Sequence, residues 1–134
     1  MAGAQSAFIY DESYAANADL STKQFFCVKY VAGPKVDLCS AATDRCVGVL
    51  QNKPAASGRN SVVRHLGITK AASDGSGTAI AVGDPVGTDA NGRVIKKTTA
   101  DNGLIGEALD ASSAAGTIIR VRLYGQVVPF RTLT

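Results

Sequence analysis

Three groups of residues in this 134-residue chain are of types that could do chemistry. The first is the aspartate pair Asp84 and Asp89, inside the glycine-rich stretch "AVGDPVGTDANGRVI" (residues 81–95). Two neighbouring carboxylates can share general acid and base work if a pocket shifts one of their pKa values. The second is His65, the chain's single histidine, of the residue type best suited to proton transfer near neutral pH. The third is Cys27, Cys39 and Cys46, which could serve as nucleophiles or soft metal ligands.

Each group lacks the companions its chemistry needs. A phosphate-cradling loop needs Gly, four residues, then Gly-Lys-Ser/Thr opening a helix, and no Lys follows Gly83, Gly87 or Gly92 in that way. Gly75-Ser76-Gly77 lacks the third glycine of a dinucleotide fingerprint. Asp89, Asn91 and Gly92 hint at a calcium loop, but the position for its closing Glu is Thr98. Asp84 precedes Pro85, and Asp89 stands two residues before Asn91-Gly92; both are turn-forming aspartates. His65 has no Gly-x-Ser-x-Gly elbow to serve, so a structural role in a strand is expected. No Cys-x-x-Cys pair occurs, and an odd cysteine count argues against a closed disulfide framework. The cysteines read as reduced, strand-borne small hydrophobes of a reducing compartment. The expectation is no enzyme, no cofactor and no metal. The competing reading is a small β-barrel enzyme or ligand-binding domain in which Asp84, Asp89 and His65 line a pocket.

Composition restricts the classes further. The formal net charge is +3, with Lys and Arg scattered apart from Lys96-Lys97 and Arg120/Arg122. A nucleic-acid binder would cluster its basic residues among stacking aromatics, and aromatics are only 6% here with no Trp. The first residues show neither a basic n-region nor an apolar h-region, so a cleaved signal peptide is not expected. No apolar run approaches the ~20 residues of a membrane helix. Nucleic acid and membrane are therefore not expected partners.

The elements that must position these residues read as strands. "FFCVKYV" (25–31), "VDLCS" (36–40), "CVGVLQ" (46–51), "SVVRHLGITKA" (61–71), "VIKKTT" (94–99), "GLIGEAL" (103–109) and "TIIRVRLYGQVVPF" (117–130) are β-branched runs separated by Gly, Pro, Asn and Asp, while "IAV" (80–82) is apolar and "GDPVGT" (83–88) reads as a bend. Asn91-Gly92 predicts a hairpin with a type I′ turn. In the last run Ile119, Val121 and Leu123 alternate with Arg120, Arg122 and Tyr124, the pattern of a half-buried strand with a polar outer face. Residues 1–24 are rich in Ala, Ser and Asn without a sustained period. They read as an N-terminal arm ahead of a single β domain over 25–134, and its Phe8, Ile9, Tyr10 and Tyr14 suit contact with a neighbour.

A repeat underlies the pattern. Aligning "VGVLQNKPAASGRNSVVRHLG" with "IGEALDASSAAGTIIRVRLYG" on Gly48 and Gly106 brings Gly58 onto Gly116, Gly67 onto Gly125 and Arg64 onto Arg122. Val47, Asn52 and Val63 meet Ile105, Asp110 and Val121. Matched glycines in one register point to a structural repeat.

The ordered set of steps resembles the capsid cement, or head decoration, proteins of tailed bacteriophages. It runs through Gly48-Val49-Leu50, Gly67, Gly83-Asp84 with Val86, Gly92-Arg93, Gly106 with Ala108-Leu109, and Ile119, Val121 and Leu123, covering about residues 25–125. The matched positions are structural in kind, so the resemblance carries over no catalytic role. It implies an all-β fold, a small β-barrel or β-sandwich-like domain, commonly trimeric. Such a protein sits on the outer capsid surface, is assembled in the host cytoplasm, and braces the major capsid protein. Phe8, Ile9, Tyr10, Tyr14, Arg120 and Arg122 are the expected contacts with the shell or with neighbouring subunits. A tail-associated or fibre-base β domain is the alternative virion role.

Overall fold

The structure is a computed structural model that describes residues 9–124. The all-β expectation holds. In chain order the strands are β1 (Tyr10–Ala16), β2 (Cys27–Val31), β3 (Lys35–Leu38), β4 (Gly48–Leu50), β5 (Asn60–Asp74), β6 (Pro85–Thr88), β7 (Val94–Lys96), β8 (Leu104–Ala108) and β9 (Ala115–Tyr124). They form one sheet that closes on itself twice. β1, β3, β2, β4 and the first half of β5 make ring 1; the second half of β5, β7, β6, β8 and β9 make ring 2. Of the two architectures expected, this is the barrel.

β5 can serve both rings because it is 15 residues long. Its residues 60–66 pair with β1 and residues 66–74 pair with β9, antiparallel in both cases. Closure leaves few free strand edges to recruit another chain. Each ring has its own interior. Ala16, Leu20, Val28, Val36, Val47, Leu50 and Val63 cluster in ring 1. Ala71, Ile80, Val86, Val94, Ile105, Ala108, Ile119, Val121 and Leu123 cluster in ring 2, joined by Cys27, Cys39, Cys46 and Val49 from ring 1.

The repeat seen in the sequence extends upstream of the aligned segments, to Phe25 and Gly83. Adding 58 to each number converts the ring 1 pairings Cys27↔Val49, Val28↔Leu38, Tyr30↔Val36 and Leu50↔Val63 into the ring 2 pairings Pro85↔Glu107, Val86↔Lys96, Thr88↔Val94 and Ala108↔Val121. Asn52 Oδ1 accepts the Val62 N–H at 2.9 Å, and Asp110 Oδ2 accepts the Arg120 N–H at 2.9 Å. Gly58 and Gly116 share a φ of +87°, and Phe25 at +72° stands where ring 2 has Gly83 at +90°. The aligned glycines have a steric cause: a Cβ on Gly48 would lie 2.3 Å from the Arg64 carbonyl oxygen, and one on Gly106 would lie 1.9 Å from that of Arg122.

Three expectations differ from what the structure holds. Residues 10–16, placed in an arm by composition, are a strand of ring 1, and Ala16 and Leu20 behind them are core. β1 has no alternating hydropathy to read, because only Ala16 among its residues is fully buried and its backbone ladder to β5 holds it. The hairpin at Asn91-Gly92 exists, but only Gly92 takes a positive φ, +78°. Asp89 organises the turn by accepting the N–H groups of Asn91 at 2.8 Å and Arg93 at 2.9 Å, so a type I′ geometry is not needed. Most of "GDPVGT", expected as a bend, is instead strand β6, because Pro85–Thr88 pairs with both β7 and β8, while "IAV" contributes a single bridge, Ile80 to Ser112. Phe8, Gly125 and the segment to Thr134 lie outside the described residues.

Candidate functional site

The residues first considered for catalysis lie in separate structural settings. Asp84 accepts the Ala81 N–H at 2.8 Å and stands 3.7 Å from Lys96, in the bend that opens β6. Asp89 is consumed by its own turn. His65 belongs to ring 1, where Nδ1 lies 2.7 Å from the Val47 carbonyl and Nε2 lies 2.8 Å from Tyr14 Oη. A carbonyl can only accept, so the hydrogen bond at Nδ1 is donated by the ring. The three cysteines form no disulfide with one another and are buried in the cluster that joins the rings. Only Cys27 lies on a strand; Cys39 directly follows β3 and Cys46 precedes β4. Hydrogen bonding with Cys46, then burial, pushes the Cys39 thiol far up. Buried neutral thiols are neither nucleophiles nor ready ligands. Among the described residues, no group of three His, Cys, Asp or Glu is placed to hold a metal ion.

Two surfaces stand out. The first is the open end, or mouth, of ring 1. Tyr14 Oη lies 2.9 Å from Tyr30 Oη, so Tyr30, Tyr14, His65 and the Val47 carbonyl form a chain of hydrogen bonds across the mouth. The Tyr10 ring lies 5.4 Å from the His65 ring, and its hydroxyl donates to Glu12. Ile9, Tyr10 and Tyr30 are each exposed by 44–49%. Burial, then the bond to Tyr30, raises the Tyr14 phenol well above its usual value. β1 therefore brings the expected Tyr10 and Tyr14 together. Tyr30 and His65, not expected there, complete the set, and the chain separation of 51 residues between Tyr14 and His65 hid the contact.

The second surface is the outer face of the β5–β9 ribbon. β9 buries Ile119, Val121 and Leu123 and exposes Ile118, Arg120, Arg122 and Tyr124, the alternation read from sequence. Ile68 pairs with Arg122 and Lys70 with Arg120, so β5 adds to the same face. Ile68, Ile118 and Tyr124 are exposed apolar or aromatic members that the sequence reasoning did not select. For Ile118 and Tyr124 the signal was available in the same alternation. Arg120 forks onto Asp110 at 2.9 and 3.0 Å, and Arg122 Nε lies 3.6 Å from Glu107. The Arg120 guanidinium and backbone N–H hold the Asp110 carboxyl down to about 2. A groove of about 310 Å³ continues this face, lined by Phe25, Gln51, Arg64, Ile68, Lys70 and Arg120 among others. Exposed pairs of this kind add little to stability. What they do is hold cationic side chains upright beside exposed isoleucines, a combination suited to a protein partner.

Comparison with known proteins agrees with a structural reading. The family model described as phage cement protein matches residues 9–123. In fold the chain is similar to the N base of head fiber gp8.5 of bacteriophage phi29, with a TM-score of 0.60 and 17% identity over 87% of this chain and 94% of that one. No curated protein matches the sequence.

Proposed function

The chain belongs to the phage cement proteins, structural components of the virion, and from that premise we propose that it docks on the outer surface of the capsid and braces neighbouring major capsid subunits. The proposed role is non-enzymatic, and the partners are the major capsid protein and copies of this chain, forming a homotrimer, without nucleic acid or membrane. Assembly in the reducing host cytoplasm suits three buried cysteines that form no disulfide with one another.

The observation that carries the reading is the β5–β9 face. It sets Ile68, Ile118 and Tyr124 among Lys70, Arg120 and Arg122 on a rigid two-stranded support. Apolar anchors ringed by charge are the usual make-up of a contact between proteins. Ile9, Tyr10 and Tyr14 at the ring 1 mouth serve the contact between subunits. The mechanism is mass action. A ligand that binds only the closed shell stabilises it by about 2.7 kcal/mol per site when present at one hundred times its Kd. Trimeric linkage turns three weak contacts into one strong one.

The test is co-sedimentation with purified capsids followed by imaging. Wild-type protein is expected as ordered density on the outer shell, and Ile118→Asp combined with Arg122→Ala is expected to lower occupancy about tenfold. Unchanged occupancy of the variant moves the shell contact off this face. Wild-type protein that stays in the supernatant overturns the cement role. A second reading, the base of a head fibre, is favoured by the likeness in fold to the phi29 protein; a rod rising from the docked domain would select it.

A further inference from the structure

We propose that the mouth of ring 1 and the outer wall of ring 2 are two halves of one contact, made head to tail between copies of this chain. The inference deepens the self-association proposed above and rests on that part of the reading alone.

The chain already contains one contact of this type, between its own rings. On ring 1, Val28 and Leu50 face the ring's interior while Cys27 and Val49, paired in register, face outward. That outer wall, with Cys39 and Cys46, is packed into the interior cluster of ring 2. It covers the end of ring 2 where Ala71, Thr88 and Leu123 are buried. The Cys39 thiol lies beside Thr88, and Gly92 beside this end packs against Leu38 and the Cys27 carbonyl.

The repeat locates the same two surfaces once more, and there both carry exposed residues. The 58-residue shift takes the wall residues Cys27, Cys39, Cys46 and Val49 to Pro85, Lys97, Leu104 and Glu107. Around Pro85, Lys97 and Leu104 lies a pocket of about 140 Å³, closed on its other side by Thr98, Thr99 and Ala100. Pro85 and residues 98–100 are exposed. In the opposite direction, Thr88 and Leu123 correspond to Tyr30 and His65. Ala71, paired with Ile119, corresponds to Tyr14, paired with Ser61. These are the residues of the hydrogen-bonded mouth, where Tyr30 is 49% exposed.

The two replacements match each other. Inside the chain an apolar wall of Cys and Val meets an apolar mouth. Between chains a wall of Pro85, Thr98, Thr99 and Glu107 would meet a mouth of Tyr and His; Lys97 beneath that wall is buried, its ammonium held by the Ala42 carbonyl and Asp101. Tyrosines held in place by mutual hydrogen bonds lose little entropy on docking and are favoured interface anchors. A polar version of the contact leaves the free copy soluble, which a permanently buried Cys–Val wall would not. Because wall and mouth are different surfaces, the contact is heterologous and closes into a ring, a trimer included, or runs on as a chain.

The test uses full-length protein without capsids, followed by sedimentation velocity at rising concentration. Wild type is expected to self-associate. Tyr30→Arg at the mouth and Ala100→Arg at the wall are each expected to weaken association by at least about tenfold, because each variant loses one half of the contact. Mixed together, the two variants retain one intact wall and one intact mouth, so they are expected to form a 1:1 dimer and nothing larger. A wild type that stays monomeric, variants that associate as wild type does, or a mixture that forms no dimer would each overturn the proposal. Circular dichroism confirms folding of each variant, and Tyr30→Ser replaces Tyr30→Arg if the latter does not fold. Shell binding is scored separately, so loss of one activity is distinguishable from loss of the other.

Discussion

Gly106→Ala tests how the sheet is built. Gly106 pairs with Leu123 across the β8–β9 ladder, and an added Cβ would meet the Arg122 carbonyl oxygen at 1.9 Å. Real Cβ contacts stay beyond 3.0 Å, so the strands must part by about 1 Å. Strain from overpacking costs about 1–3 kcal/mol. Loosening one or two ladder hydrogen bonds adds about 0.5–1.5 kcal/mol each. The lost flexibility of the unfolded glycine returns only about 0.4–1 kcal/mol. The expected net loss is about 2–4 kcal/mol, a large part of the 5–15 kcal/mol typical of a domain. For a chain of this size that lowers Tm by roughly 6–20 °C. Gly48→Ala, with 2.3 Å to the Arg64 carbonyl oxygen, is expected to behave alike. Gly77→Ala, with nothing within 4 Å of its Cβ, is the control and is expected within about 0.5 kcal/mol of wild type. Urea unfolding followed by circular dichroism measures all three. If Gly106→Ala and Gly77→Ala unfold alike, close backbone approach is not what these glycines provide.

Further outcomes follow from individual side chains. The Asp110 carboxyl is held at about 2, first by the hydrogen bond from the Arg120 side chain. Its folded value lies below the unfolded one, so its contribution is present above about pH 4 and is lost as pH falls through about 2. NMR titration should place its midpoint there, and Arg120→Ala should move the midpoint upward; an unmoved midpoint refutes the assignment. Tyr14, raised by burial and by Tyr30, contributes stability below the ordinary phenol value of about 10 that is lost only as pH rises through its higher folded value. Ultraviolet difference titration should find this tyrosine among the last to ionise, and Tyr14→Phe should remove that late step. The three buried thiols should resist a disulfide reagent in the native protein and all react in denaturant; rapid native labelling would contradict their burial. Ser61 is fully buried, and its hydroxyl has no partner among the described residues. Ser61→Ala should raise stability by about 1 kcal/mol in the same urea assay.

Much of the architecture was legible because local chemistry and tertiary need coincide. β9 alternates Ile119, Val121 and Leu123 with Arg120, Arg122 and Tyr124, so its two faces could be read directly. The aspartates of the turns declared themselves through Pro85 and Asn91-Gly92, and the structure uses both as turn residues. β1 was not legible. Its order comes from a ladder to residues fifty positions away, and Tyr10, Asp11, Glu12 and Ser13 remain exposed in it. The mouth escaped notice for the same reason: Tyr14, Tyr30 and His65 come from three strands and share no sequence period.

Strand content, turn chemistry and the existence of a repeat follow from side-chain type and spacing along the chain. That the repeat is carried by two rings sharing β5 emerges only in the folded chain. So does the way the cysteines of one ring complete the core of the other. Both depend on which outer wall is packed against which open end, a choice made by burial across the fold and invisible in the order of residues.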